Sequence, residues 1–158
     1  MFCGTSQHVV DSKNRVFVPK RIQDFLTRTA TGGTQGVLTL GQDGCLYLFP
    51  VAGFQAAAAE LSTRTFTDEQ ARAAKRTFFG LSTPVELDSS GRILIPEELR
   101  ERIGLEKDIV IVGVEDRAEL WPALAWKNYQ REHGSVLETW NRAGASAPSA
   151  NPSPGSGA

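Results

Sequence analysis

Residues 11–22, DSKNRVFVPKRI, return at residues 88–99 as DSSGRILIPEEL. Asp11, Ser12, Arg15 and Pro19 correspond in order to Asp88, Ser89, Arg92 and Pro96, at a constant offset of 77 positions. Asp and Ser at the head of such a stretch accept backbone N–H bonds, and Asn14, or Gly91 in the second copy, tolerates the positive φ that a tight reversal needs. A β-rich run follows, Arg15-Val16-Phe17-Val18 or Arg92-Ile93-Leu94-Ile95, and then a proline suited to the first turn of a helix. Each copy therefore predicts strand, turn, strand and helix start, and the chain is a duplicated module.

The duplication extends outward from the motif. Residues 36–54, GVLTLGQDGCLYLFPVAGF, align with residues 108–126, DIVIVGVEDRAELWPALAW, at an offset of 72, because the first copy holds five extra loop residues. Gly41 matches Gly113, Phe49 matches Trp121, Pro50 matches Pro122 and Phe54 matches Trp126. Each segment predicts a hairpin, turning at Gln42-Asp43-Gly44 or Glu115-Asp116-Arg117, and then a helix. The aromatic residues at these positions suit core or helix-packing anchors better than a ligand box.

Between the repeats, Phe54 to Leu61 is rich in helix formers, and Thr67 with Gln70 has the spacing of a capping box for a second helix through about Phe79. Phe66, Ala71, Ala74 and Phe78 fall on one face of it, to be buried on the chain's own sheet or on a neighbouring subunit. Arg64, Arg72, Lys75 and Arg76 fall on the other. A helix from about Ala123 through His133, continued by Val136, Leu137 and Trp140, closes the second half. Residues 143–158, AGASAPSANPSPGSGA, have little to bury and are expected to be disordered. The expected division is a first half at 1–54, a helical connector at 55–80, a second half at 81–142 and a tail at 143–158.

Composition bounds what such a protein does. With 158 residues, 41% apolar and 22% charged, it suits a globular domain, and no apolar run approaches the ~20 residues of a spanning helix. Met1-Phe2-Cys3-Gly4 lacks the basic start and apolar core of a leader, so a cytoplasmic location is expected. Cys3 and Cys45 are too few for a disulfide framework and lack zinc-site spacing, so neither metal nor cofactor is expected. The net charge of −1 argues weakly against nucleic acid, but the halves differ. Residues 1–80 carry nine Lys and Arg against six Asp and Glu; residues 81–158 carry eight against twelve. Lys13, Arg15, Lys20, Arg21 and Arg28 cluster early, as in a chain with one polyanion-facing surface, although an ordinary solvated surface has the same look. At the helix start the second copy has Glu97 and Glu98, which suit the positive helix end, whereas the first has Lys20 and Arg21, which suit an end that meets phosphate or lie exposed there without harm.

Both D-x-x-x-R motifs, the Phe2-Cys3-Gly4 opening, the shifted hairpins and the run DSSGRILIPEELRERIGLEKDIVIVGVEDRAELW resemble the MraZ family over residues 1 to about 140. The resemblance implies an α+β fold: a duplicated AbrB-like swapped-hairpin β-barrel with flanking helices, pseudo-twofold within one chain. It further implies a nucleoid-associated bacterial transcriptional regulator forming ring-shaped homo-oligomers. Such a ring binds short direct repeats of double-stranded DNA in the promoter of its own division and cell-wall gene cluster. Where the family motif usually places Gly before the first Arg, this chain has Asn14.

Spacing alone admits two roles for the motif. Asp11 with Arg15, and Asp88 with Arg92, are either internal ion pairs closing equivalent turns, or the aspartates orient arginines that read bases. Arginine spans guanine O6 and N7 in a bidentate manner, while lysine supplies phosphate attraction. The resemblance favours DNA contact by Lys13, Asn14, Arg15, Lys20 and Arg21, with Asp11 shaping the turn. Arg92, without a nearby lysine and followed by two glutamates, is assigned with Asp88 mainly to structure. An enzyme reading would have to build a site from His8, His133, Asp11 and Asp88, with no nucleophile elbow, metal cluster or phosphate loop. The stronger alternative is an oligomeric protein-interaction scaffold with incidental DNA binding.

Overall fold

The computed structural model describes residues 1–63 and 65–145. Two compact units divide the chain, the first being Met1–Trp126 and the second beginning at Lys127. In the first unit the leading half supplies β1 (Thr5–Val9), β2 (Arg15–Phe17), a one-turn helix α1 (Lys20–Gln23), β3 (Thr27–Arg28), and the hairpin of β4 (Thr34–Leu40) and β5 (Leu46–Phe49). The connector is α2 (Val51–Ser62) and α3 (Glu69–Gly80). The second half repeats the plan with β6 (Thr83–Glu86), β7 (Arg92–Leu94), α4 (Glu97–Arg102), β8 (Asp108–Val114) and β9 (Arg117–Pro122), followed by α5 (Ala123–His133) and α6 (Val136–Ala145).

The halves exchange strands. β1 pairs not with its own hairpin but with β8, from Thr5 opposite Val112 to Val9 opposite Asp108. Reciprocally, β6 pairs with β4, from Thr83 opposite Leu38 to Glu86 opposite Gln35. The two hairpins join through β5 and β9, and every ladder is antiparallel. β2 and β7 form a separate ribbon in which Arg15 faces Leu94, Val16 faces Ile93 and Phe17 faces Arg92. Beyond its ends, Val18 N–H donates to Gly91 O at 2.9 Å and Ile95 N–H donates to Asn14 O at 2.8 Å, so each copy's strand is finished by the other copy's turn. The seven-stranded sheet follows an open path, β1-β8-β9-β5-β4-β3 with β6 also on β4. No closed barrel forms among the described residues, because β2 and β7 direct their ladder hydrogen bonds at each other rather than joining β1 to β6.

The period-2 pattern of the motif explains its place in the core. Val16, Val18, Ile93 and Ile95 point inward and are fully buried, together with Ile22 of α1 and Leu99 of α4. They pack with Leu38, Leu46, Leu48, Ile109, Ile111 and Leu120 of the hairpins in one cluster. Phe49 and Trp121 are buried as matched anchors, each touching the aromatic residue of the following helix: Phe54 at 6.3 Å between centroids and Trp126 at 5.4 Å. The expectation of packing anchors holds for both pairs.

Three helix expectations need correction. α3 is capped by Asp68 rather than Thr67; the carboxylate accepts from the N–H groups of Gln70 and Ala71 at 2.9 and 3.3 Å, one residue later than the capping-box spacing. Phe66, preceding that cap, is 79% exposed and does not share the helix face; Phe78 does, stacked on Phe54 at 5.2 Å. That face is held to the chain's own sheet, where Thr39 Oγ1 donates to Phe78 O at 3.0 Å. In the second unit α6 runs to Ala145, so residues 143–145 of the expected tail are helical, while 146–158 lie outside the described residues.

Candidate nucleic-acid interface

The site is built from the two turns. One carboxylate oxygen of Asp11 accepts from the N–H groups of Lys13 and Arg15, both at 2.9 Å; that of Asp88 accepts from Ser90 and Arg92, also at 2.9 Å. Asn14 N–H donates to Asp11 O at 3.0 Å and Gly91 N–H to Asp88 O at 2.9 Å, closing the reversals. Asn14 and Gly91 take φ of 62° and 76°, the left-handed conformation that their residue types predict. The second carboxylate oxygen of each aspartate holds Nε of its own arginine, at 3.0 Å for Arg15 and 2.9 Å for Arg92.

The ribbon brings the two turns together. Arg15 Nη1 lies 3.9 Å from Asp88 and Arg92 Nη1 lies 3.7 Å from Asp11, so the four charges alternate around a ring, each about one-third exposed. The backbone N–H of Arg15 holds the Asp11 carboxyl below its ordinary pKa, and that of Arg92 does the same for Asp88; partial desolvation opposes both. Two positive and two negative charges leave the quartet neutral. It is therefore a device for fixing guanidinium direction more than for attracting phosphate: Nε is anchored and the remaining N–H groups are presented as a planar fork.

The other predicted residues divide. Lys13 is exposed at the tip of the first turn. Asn14 Oδ1 accepts from Arg100 Nη1, so α4 reaches across to the opposite half's turn. Sequence reasoning missed Arg100, although the repeat offset marks it: its counterpart is Gln23, whose side chain donates to Val18 O at 2.7 Å. Arg100 Nε is buried with no hydrogen-bond partner among the described residues. Lys20 and Arg21 do not join the quartet. Lys20 pairs with Asp24 at 3.2 Å, and Arg21 donates to Cys3 O at 3.0 Å and Ser6 Oγ at 3.1 Å on the β1 side. Their positive charge at the start of α1 is thus answered by a carboxylate and by the oxygens of Cys3 and Ser6, and a single turn of helix has little dipole to oppose it. Ser6 also bonds His8 at 2.8 Å, and His8, its pKa lowered by burial and by Arg21, is uncharged at neutral pH.

On the ribbon's outward face Arg15 and Arg92 alternate with Phe17 and Leu94, which are 43% and 57% exposed, while Val16 and Ile93 fill the inward face. Arg15 and Arg92 make equivalent ion pairs; among the differences between the copies are Lys13 against Ser90 and Asn14 against Gly91. A hollow of about 650 Å³ between α2, α3 and the β4–β5 hairpin, lined by Tyr47, Phe49, Phe78 and Arg117, touches none of these residues. Among the described residues no group of His, Cys, Asp or Glu is placed to hold a metal ion, and no helix is long and apolar enough to cross a membrane.

These features define an internally duplicated α+β protein whose halves complete each other's sheets and present a paired-arginine ribbon. The family model of the MraZ protein matches this chain twice, over residues 1–77 and 78–143, which is one match per half. The chain is 41% identical over 133 residues to the transcriptional regulator MraZ of Symbiobacterium thermophilum, covering 84% of this chain and 92% of that one. It is 40% identical over 147 residues to the protein of the same name from Clostridium beijerinckii, covering 91% and 99%. The counterpart in Pelotomaculum thermopropionicum is 41% identical over 138 residues, covering 87% and 91%. The chain belongs to the MraZ family.

Proposed function

We propose that this protein is a sequence-specific transcriptional regulator that binds double-stranded DNA through the β2–β7 ribbon and its two turns. The alternating Asp11–Arg15–Asp88–Arg92 ring carries the proposal, because it holds two arginine forks at the protein surface in fixed directions, as base-edge recognition needs. Similarity to relatives named as transcriptional regulators supports the same reading. Lys13, exposed beside the ring, supplies phosphate attraction, and Asn14 sets the turn that aims Arg15. Arg92, given mainly a structural part by its neighbours in sequence, makes ion pairs equivalent to those of Arg15 and is included in the contact. Lys20 and Arg21 contribute a positive flank.

The proposed target is a set of short direct repeats in the promoter of the protein's own division and cell-wall gene cluster. The proposed form is a homo-oligomeric ring of strand-exchanged subunits, acting in the cytoplasm at the nucleoid. A neutral ring of charges on each subunit binds weakly alone. Several copies presented together make each later contact effectively intramolecular. Footprinting the purified oligomer on DNA upstream of its own gene tests this reading: regularly spaced protected repeats are expected, and uniform or absent protection overturns it. The scaffold alternative draws on the exposed Val136, Leu137 and Trp140 of α6, and predicts an intact oligomer with no protected repeats.

A further inference from the structure

An outward strand face in contact with water alternates its buried residues with polar ones. The β2–β7 ribbon departs from this in both copies. Its inward residues, Val16 and Ile93, are fully buried, yet the outward positions that are not arginine hold Phe17 and Leu94, 43% and 57% exposed. Each lies directly across the ribbon from an arginine: Phe17 faces Arg92 and Leu94 faces Arg15. A local two-fold through the Val16–Ile93 pair interchanges these arrangements, so the ribbon offers the same charged-plus-apolar pair twice, in opposite directions. A lone exposed apolar side chain needs no explanation, but this alternation with two anchored arginines does.

We infer that Phe17 and Leu94 are specificity-determining contacts to thymine C5-methyl groups in the DNA major groove, beside guanines read by Arg92 and Arg15. The inference rests on the DNA-binding reading above. A two-stranded ribbon fits the major groove, where the thymine methyl is the one apolar feature on the base edges and guanine presents the paired acceptors that suit arginine. Residues directly opposite each other on an antiparallel pair are about 5 Å apart, so a thymine contact falls within one or two base steps of its guanine. The Phe17 ring has limited freedom to move aside: it sits against His8 at 5.9 Å between centroids, and a Cβ on Gly91 would approach its edge to 3.2 Å. The ribbon thus selects a mixed guanine–thymine pattern, not guanines alone.

The test uses the full-length oligomer and two duplexes spanning the upstream region. One contains thymine and the other deoxyuridine throughout, which removes the methyl groups and keeps the pairing. Wild-type protein should bind the deoxyuridine duplex about fourfold more weakly for each methyl contacted. Phe17→Ser and Leu94→Ser should bind the thymine duplex more weakly and lose part of that methyl dependence, whereas Phe17→Leu should keep it. Equal wild-type affinity for the two duplexes, with both preferred over a scrambled sequence, overturns the thymine assignment and leaves the DNA-binding reading standing. No preference for either duplex over the scrambled one overturns both. Should a serine variant fail to fold, the wild-type comparison and Phe17→Leu still decide.

Discussion

Asp11 and Asp88 each do two things with two oxygens, tying a turn through backbone N–H groups and anchoring an arginine. Their pKa values are lowered in the folded protein, so their contribution to stability is complete above the ordinary carboxyl value of 3.8 and is lost as pH falls through the depressed folded value. Stability followed by urea melts should therefore hold from neutral pH to about 5 and fall below about 4, and Asp11→Asn with Asp88→Asn should flatten that acid limb. At Asn14 the positive φ makes alanine costly, so Asn14→Ala should lose about 1–2 kcal/mol, whereas Asn14→Gly trades the Arg100 hydrogen bond for an easier turn and should lose less. Binding should separate the roles of two neighbours. Arg15→Ala should cost roughly 1–3 kcal/mol of discrimination between target and scrambled DNA, while Lys13→Ala should weaken both alike and reduce the salt slope by about one. A gel-shift series at several salt concentrations reads both effects.

At the level of elements, the repeated motif made the two strands, the turns and the helices after Pro19 and Pro96 legible in sequence, because local rules for turn residues, alternation and proline agree there. The ion pairs of Asp11 with Arg15 and of Asp88 with Arg92 were legible for the same reason: both partners lie within one turn. Their crosswise pairing, the reach of Arg100 to Asn14 and the outward setting of Phe17 and Leu94 were not. Each depends on which strand of one half lies beside which strand of the other, and no local pattern encodes that. The cap of α3 was misplaced by one residue because Thr67 and Asp68 are both good caps, and tertiary setting chose the carboxylate. Asp68→Ala should accordingly cost about 1 kcal/mol in a urea melt, and Thr67→Ala much less. Gly41 and Gly113 occupy matching positions for unlike reasons. A Cβ at Gly41 would meet the Tyr47 ring at 2.6 Å, whereas at Gly113 it would meet Cys3 N at 2.2 Å, where the leading segment crosses β8. Gly113→Ala should then displace residues 1–4, visible as faster amide hydrogen exchange at Phe2 and Glu115, whose backbones bond each other at 2.9 Å.

At the scale of the whole molecule, the near-neutral chain and the self-neutralised ring of charges both argue that one copy grips DNA weakly. Affinity should rise more than tenfold between duplexes carrying one repeat and several, at fixed salt, if copies act together. Equal affinity for one repeat and several would remove the need for an assembly in binding. Within the single chain, the exchange of β1 and β6 between halves has a further consequence, which concerns time. β1 is translated early, yet its ladder partner, Asp108–Val114, is made about a hundred residues later. At ordinary translation speeds that is a wait of roughly 5–20 s, during which β1 has no ladder partner. The arrangement that joins the two halves so closely also makes the leading half unable to finish folding before the trailing half exists.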